Sequence, residues 1–326
     1  MTQHSLQSIV VVLALSTSAC LGASGSPSEE AELDTEVDLA LDSRDIKAPP
    51  GYTDADYDAV AFPLAEGDPR ATIEVDPDAV LIDPGLFDPP PSPDERIAKW
   101  ISSPDSRRKV VDTTVSPQSM ATMLLITLDG QTSICSGTMV GKDAVLTNAH
   151  CLFNPTTQRW ATNVVAVPGA YPDPAKASKY RAPFGTSSGR KLFTPTNWRL
   201  GTGNVQKGND YGVVRTNNAS FASTWRTVGY TTAPSGNIEY YGYQGDLTRY
   251  QMYKTKGPID RWSDASNGIM QVKVSLFQGG SGSGIAASST SNIVGVMRST
   301  STSFNLALLF NSTKRTQIQG WIKQAL

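Results

Sequence analysis

A histidine, a carboxylate and a serine can together move a proton and attack a carbonyl, and three short segments of this chain supply one each. The first runs from Cys135-Ser136-Gly137-Thr138 to Leu146-Thr147-Asn148-Ala149-His150-Cys151. Histidine titrates near neutrality, which suits it to accept and return a proton. The other histidine, His4, falls in an N-terminal apolar segment, so His150 would be the one histidine of an exported chain. Cys135 and Cys151 would then be the remaining cysteine pair, and a bridge between them contributes roughly 3 kcal/mol while fixing the turn that presents His150. The second segment is Gly208-Asn209-Asp210-Tyr211-Gly212-Val213-Val214, with an acid at the lip of an apolar strand. Alone, such an aspartate is a turn residue; beside a histidine it can hold the ring tautomer and stabilise the imidazolium. The third is Gln278-Gly279-Gly280-Ser281-Gly282-Ser283-Gly284. Glycines around a serine permit a tight turn whose N–H groups converge, and one such donor is worth roughly 3 kcal/mol to an oxyanion. Each signal is weak by itself. Their conjunction is not.

These residues need a rigid frame, and the pattern from about Met120 supplies one. Residues 123–128, 144–147, 211–214, 239–243, 268–274, 293–297 and 304–310 read as short strands separated by Gly, Asn, Asp and Pro. Many short strands over about 200 residues predict a sandwich or barrel instead of a βαβ layout. Ile318, Trp321, Ile322 and Leu326 follow at helical spacing, with Asn311 and Ser312 as candidate caps. The expected class is all-β with a C-terminal helix.

The net charge of −2 conceals two opposed halves: residues 1–109 carry −13 and residues 110–326 carry +11. Residues 1–23 read as a signal peptide with an apolar run from Ile9 to Leu15. A cut before Cys20 would expose that cysteine for lipidation, whereas a cut after Ala23 would discard it. Lipid anchoring at an outer membrane and plain secretion both stay open. Residues 24–109 are acidic and Pro-rich, with little periodicity to define a core, and read as a largely disordered pro-region. Its end is expected between 99 and 109, because Lys99 and Arg107-Arg108-Lys109 offer basic cleavage points; 110–326 is then the functional domain. Three cysteines and two histidines are too few for a disulfide-dense scaffold or a Cys/His zinc site. The +11 stands without a stacking motif or basic run, so no nucleic-acid partner is expected.

Taken together the segments resemble the chymotrypsin-like serine proteases, and more closely their bacterial glutamyl-endopeptidase branch. Thr147-Asn148-Ala149-His150-Cys151 and Gly279-Gly280-Ser281-Gly282-Ser283-Gly284 stand where that family has its signatures, with Gly284 in place of the usual proline. The likeness extends through Val111-Asp112-Thr113-Thr114, Val140-Gly141-Lys142-Asp143, Phe193-Thr194-Pro195-Thr196-Asn197-Trp198-Arg199 and Gly242-Tyr243-Gln244-Gly245-Asp246, so over about 110–326. It implies two antiparallel six-stranded β-barrels with the site in the cleft between them. It also implies a His150/Asp210/Ser281 triad, an oxyanion hole from the N–H groups of Gly279 and Ser281, and no metal or cofactor. The expected partners are protein or peptide substrates, the chain's own acidic pro-region and an activating protease, with a membrane met only through a lipid anchor.

At the specificity pocket the resemblance departs from its pattern. Met297, in Val294-Gly295-Val296-Met297-Arg298, stands where glutamyl endopeptidases carry a histidine, and Ser275-Leu276-Phe277 is the other expected wall. Candidate pocket residues are therefore Ser275, Leu276, Met297 and Arg298, with Arg298 either pairing an acidic substrate side chain or lying as a solvated strand-edge charge. An α/β-hydrolase esterase is excluded, because no histidine follows Ser281. The competing reading is a catalytically inactive protease fold acting as a binding or adhesive protein.

Overall fold

The computed structural model describes residues 73–74, 101–174, 179–218, 222–231, 236–287, 292–300 and 303–324. The signal segment with Cys20, and Lys99 at the expected cleavage point, lie outside the described residues.

An Asp-Gly pair between two strand-forming runs favours a two-residue hairpin, because both turn positions need positive φ. Asp129 (φ 51°) and Gly130 (φ 79°) make that turn between β1 (Ala121–Leu128) and β2 (Gln131–Gly141), with Leu128 opposite Gln131. The first barrel continues with β3 (Ala144–Thr147), β4 (Asn163–Pro168), β5 (Ser187–Phe193) and β6 (Gly212–Thr216). It closes in the order β5-β6-β3-β2-β1-β4. The second barrel comprises β7 (Asn237–Tyr243), β8 (Met252–Asp264), β9 (Ile269–Val272), β10 (Gly284–Ala287), β11 (Ile293–Thr300) and β12 (Asn305–Leu309). Its order, β7-β10-β11-β12-β9-β8, closes through the β7–β8 pairing and repeats the connectivity of the first. The all-β, two-barrel expectation holds.

The apolar run of β1 is continuous because both of its faces are buried. Leu124, Ile126 and Leu128 fill the first barrel with Met139, Val145, Val164, Leu192 and Val214. Met123 and Leu125 point the other way and pack with Tyr241, Tyr243 and Met252 of the second barrel. A second seam joins Leu146, Phe193 and Val213 to Val296, Leu308 and Phe310.

Helix α1 (Thr196–Leu200) and helix α2 (Gly203–Lys207) lie between β5 and β6, and α3 (Ser312–Lys323) ends the described fold. Asn311 caps α3 by accepting from the Lys314 N–H at 2.9 Å, as its position suggested. Ile318 and Trp321 are buried in the second seam, and Trp321 stacks on Phe193 with centroids 5.8 Å apart. The far end of α3 is held by Arg215 of β6. Its Nη1 donates to the carbonyls of Trp321 (3.1 Å) and Gln324 (2.7 Å), and its Nη2 donates to Asp143 Oδ2 at 2.7 Å.

Ordered structure begins upstream of residue 110, within the expected 99–109 boundary. Arg107–Lys109 forms a strand that pairs with β8, Lys109 opposite Tyr253 and Arg107 opposite Thr255. Arg107 is only 8% exposed and donates to Gln244 Oε1 (3.0 Å), Asp246 Oδ1 (2.6 Å) and Asp105 Oδ2 (2.8 Å). A basic run that looked like a cleavage signal is thus part of the second barrel. Further upstream, Ile73–Glu74 pairs antiparallel with Lys179–Arg181.

Arg215→Met should lower the unfolding free energy by about 3 kcal/mol or more, since it leaves Asp143 buried without its counter-charge. Urea unfolding in a Ser281→Ala background, which prevents self-digestion, is the measurement.

Candidate active site

Antiparallel register brings the histidine and the aspartate together. Thr147 of β3 lies opposite Gly212 of β6, so the chain leaving β3 and the chain entering β6 emerge at the same barrel end. His150 lies three residues past Thr147 and Asp210 two before Gly212. The Nδ1 of His150 is 2.8 Å from Asp210 Oδ2, and the His150 backbone N–H donates to Asp210 Oδ1 at 2.9 Å. The Asn148 side-chain amide donates to the Asp210 carbonyl at 2.7 Å. Both ring and carboxylate are fully buried. Burial by itself would raise the Asp210 carboxyl, but attraction to His150, its hydrogen bonds and the Arg298 charge outweigh it and hold the group below the usual range.

Cys135 and Cys151 form a disulfide across a separation of 16 residues, anchoring the turn from the far side of His150. The two sulfurs and a His150 ring nitrogen lie within 4.8 Å of one another. A metal would need thiolates there, and the bridge consumes both.

Ser281 sits on the turn between β9 and β10, 2% exposed. Gly280 N–H donates to Phe277 O at 3.0 Å, and Gly279 has φ +91°, the sign a type II turn demands at its third residue. A Cβ on Gly279 would lie 2.7 Å from Tyr243 O. The turn is tied to the first barrel through Ser136 of β2. Its N–H donates to Ser281 O (2.8 Å), its hydroxyl donates to Gly279 O (2.7 Å) and accepts from Tyr243 N–H (2.9 Å), and its carbonyl accepts from Thr147 Oγ1 (2.8 Å). The Ser281 hydroxyl donates to Arg298 O at 3.1 Å, and the Arg298 Nε is 3.2 Å from Asp210 Oδ2. One strand residue therefore touches both the serine and the aspartate.

The pocket candidates distribute differently from expectation. Met297 and Leu276 are buried in the core of the second barrel with Ile238, Val272, Val274 and Ile285, where packing accounts for them. Arg298 is neither an open pocket cation nor a solvated edge charge: it is 7% exposed and engaged with Asp210. A bulge between Met297 and Ser299 re-aims it. The Ser275 hydroxyl faces the N-terminal segment, 2.7 Å from Ser102 Oγ and 3.1 Å from Ser106 Oγ, while its carbonyl accepts from Tyr240 Oη. Ser136 and Asn148 carry positioning roles that the sequence signalled only by adjacency to Cys135 and His150.

The sequence model described as trypsin matches residues 110–302. The glutamyl endopeptidase of Bacillus licheniformis is 25% identical over 197 residues, covering 59% of this chain and 56% of that protein. The chain thus spans little more than half the length of the curated relative it matches. Two solved structures share the fold. A Glu endopeptidase in complex with MPD has a TM-score of 0.59 at 22% identity, covering 69% of this chain and 100% of its own. The protease Anisep from Arthrobacter nicotinovorans has a TM-score of 0.56 at 18% identity, covering 67% of this chain and 100% of its own.

Gly282 tests how tightly the serine turn is held. Its φ is +86°, and a Cβ there would collide with Ser136 O and Thr147 Oγ1. Gly282→Ala should cost about 2–4 kcal/mol of stability, read by urea unfolding.

Proposed function

The chain belongs to the trypsin family of serine proteases, and on that premise we propose that it is a serine endopeptidase acting through His150, Asp210 and Ser281. The observation that carries this reading is the buried hydrogen bond between His150 Nδ1 and Asp210 Oδ2, with the Ser281 turn linked to it through Arg298. With its Nδ1 proton directed at the carboxylate, the neutral ring keeps its basic lone pair on Nε2. Ser281 Oγ attacks the peptide carbonyl carbon while Nε2 takes the hydroxyl proton. The oxyanion that forms is met by the N–H groups of Gly279 and Ser281 on the glycine-shaped turn. The C–N bond then breaks, the amine leaves with the proton from Nε2, and water attacks the acyl-enzyme by the same route to release acid and restore Ser281. The chemistry needs no metal or cofactor.

Glutamate preference is not carried over from the relative's name. Met297, at the place of the branch's histidine, is packed in a barrel core, and Arg298 already engages a carboxylate of the protein. The chain is further read as a secreted precursor, with plain secretion and a lipid anchor on Cys20 as its two export routes. Its acidic segment and basic domain carry opposite charges, an attraction that salt weakens and that an activating cut would end. That cut lies upstream of Ile101: a start at Val110 would remove the buried Arg107 strand, whereas a cut after Lys99 keeps it.

Ser281→Ala and His150→Ala should each lower kcat by about 10⁴-fold or more against denatured casein with the fold retained; near-wild-type turnover by either refutes the assignment. A serine-directed fluorophosphonate should label the processed protein and not Ser281→Ala, whereas an unlabelled processed protein would favour the inactive binding fold. In a panel of peptides differing at the cleaved residue, glutamate should not dominate. N-terminal sequencing of the secreted form should begin upstream of Arg107; a start at Val110 would sink the cleavage assignment.

A further inference from the structure

Arg298 makes a contact that the acyl-transfer scheme does not require. It sits in the β11 bulge, fixed at its base by Gly282 N–H donating to Met297 O (2.9 Å) and Met297 N–H donating to Ser283 O (2.9 Å). Its Nε approaches Asp210 Oδ2 at 3.2 Å, the same oxygen that faces His150 Nδ1, while its Nη1 donates to Ser299 Oγ at 2.9 Å. Among the described residues, the charged or titratable groups facing Asp210 are His150, from the turn after β3, and Arg298, from β11. Asn148 adds only a neutral donor to the Asp210 carbonyl.

Guanidinium keeps its charge at every pH at which a protein stays folded, and it is rigid and planar. On Asp210 it does two things at once. It stands as the carboxylate's ion-pair partner on the side of the second barrel, at 3.2 Å and without a hydrogen bond, and it places a permanent positive charge beside the imidazolium that catalysis must form. A fixed positive charge opposes the formation of a second one close by.

We propose that Arg298 is a positioning residue that clamps Asp210 across the barrel interface and extends the enzyme's activity to lower pH. This rests on the serine-endopeptidase reading. The sign follows directly: removing the guanidinium makes imidazolium easier to form, so the acidic limb of kcat/KM moves to higher pH.

The processed enzyme is compared with Arg298→Gln and Arg298→Lys. Arg298→Gln should raise the acidic limb by about half to one pH unit, and Arg298→Lys, which retains the charge, by less than about 0.3. An unmoved limb in a folded Arg298→Gln, or an equal shift in Arg298→Lys, overturns the proposal. The His150 ring is also titrated by NMR in the Ser281→Ala background, where the same upward shift is expected on adding Arg298→Gln, so the clamp is tested even in a protein that hydrolyses nothing. Should Arg298→Gln fail to fold, the Arg298 Nε–H resonance of the otherwise unaltered protein decides. It should resist exchange at neutral pH and move as His150 titrates; rapid exchange, or indifference to that titration, overturns the proposal.

Discussion

A carboxylate sealed from water has to find its counter-charges and donors inside the protein, and Asp210 is such a group. Left alone at that depth it would take up a proton or unfold its surroundings. The carboxylate's partners are the backbone and ring of His150 and the Arg298 guanidinium, while the Asn148 amide holds the backbone carbonyl of the same residue. His150 and Asn148 belong to the turn after β3, and Arg298 belongs to β11, on the other barrel. Electrical balance at one residue is thus achieved only once both barrels have closed and docked. Histidine orientation, serine placement and barrel packing are coupled through that single charge.

Docking itself depends on small polar residues where apolar ones would be too bulky. Ser136 lies at the meeting of the barrels and satisfies every polar atom it brings, with partners on the serine turn, β3 and β7. Beside it Gly242 and Gly282 leave no room for a side chain, since a Cβ on either would strike a serine atom of the interface. Backbone and hydroxyl groups therefore mesh at short range, flanked on both sides by apolar seams that exclude water. Such contacts are short and directional, so they specify one placement of the serine turn where packed hydrocarbon alone would specify it less.

Much of this was legible in the sequence because it follows from local rules. Asn311 announces a helix, and a histidine three residues past a strand end announces where that side chain emerges. Strands with continuous apolar character, such as β1 and β3, were equally plain. β2 was hidden by its Ser and Thr residues, which are buried at the barrel meeting instead of solvated. β8 was hidden by Gly257-Pro258 and by its exposed outer half. The fates of Met297 and Arg298 were beyond a reading by alternation, because a bulge resets which way consecutive side chains face. The burial of Arg107 was beyond reach for a related reason: basic residues in a row look solvated until a distant Asp246 and Gln244 are brought to meet them.

The two ends of the fold cross over. The strand at Arg107–Lys109 precedes the first barrel in the chain yet adds to the sheet of the second, and α3 follows the second barrel yet is clasped by Arg215 of the first. During synthesis the leading strand must wait until Tyr253 has left the ribosome before it can pair, by which point the first barrel's strands have all been made. The trailing helix, by contrast, finds its seat already built. The order in which these straps can form is therefore written into the topology, and each barrel carries a strap that belongs in sequence to the far side of the other.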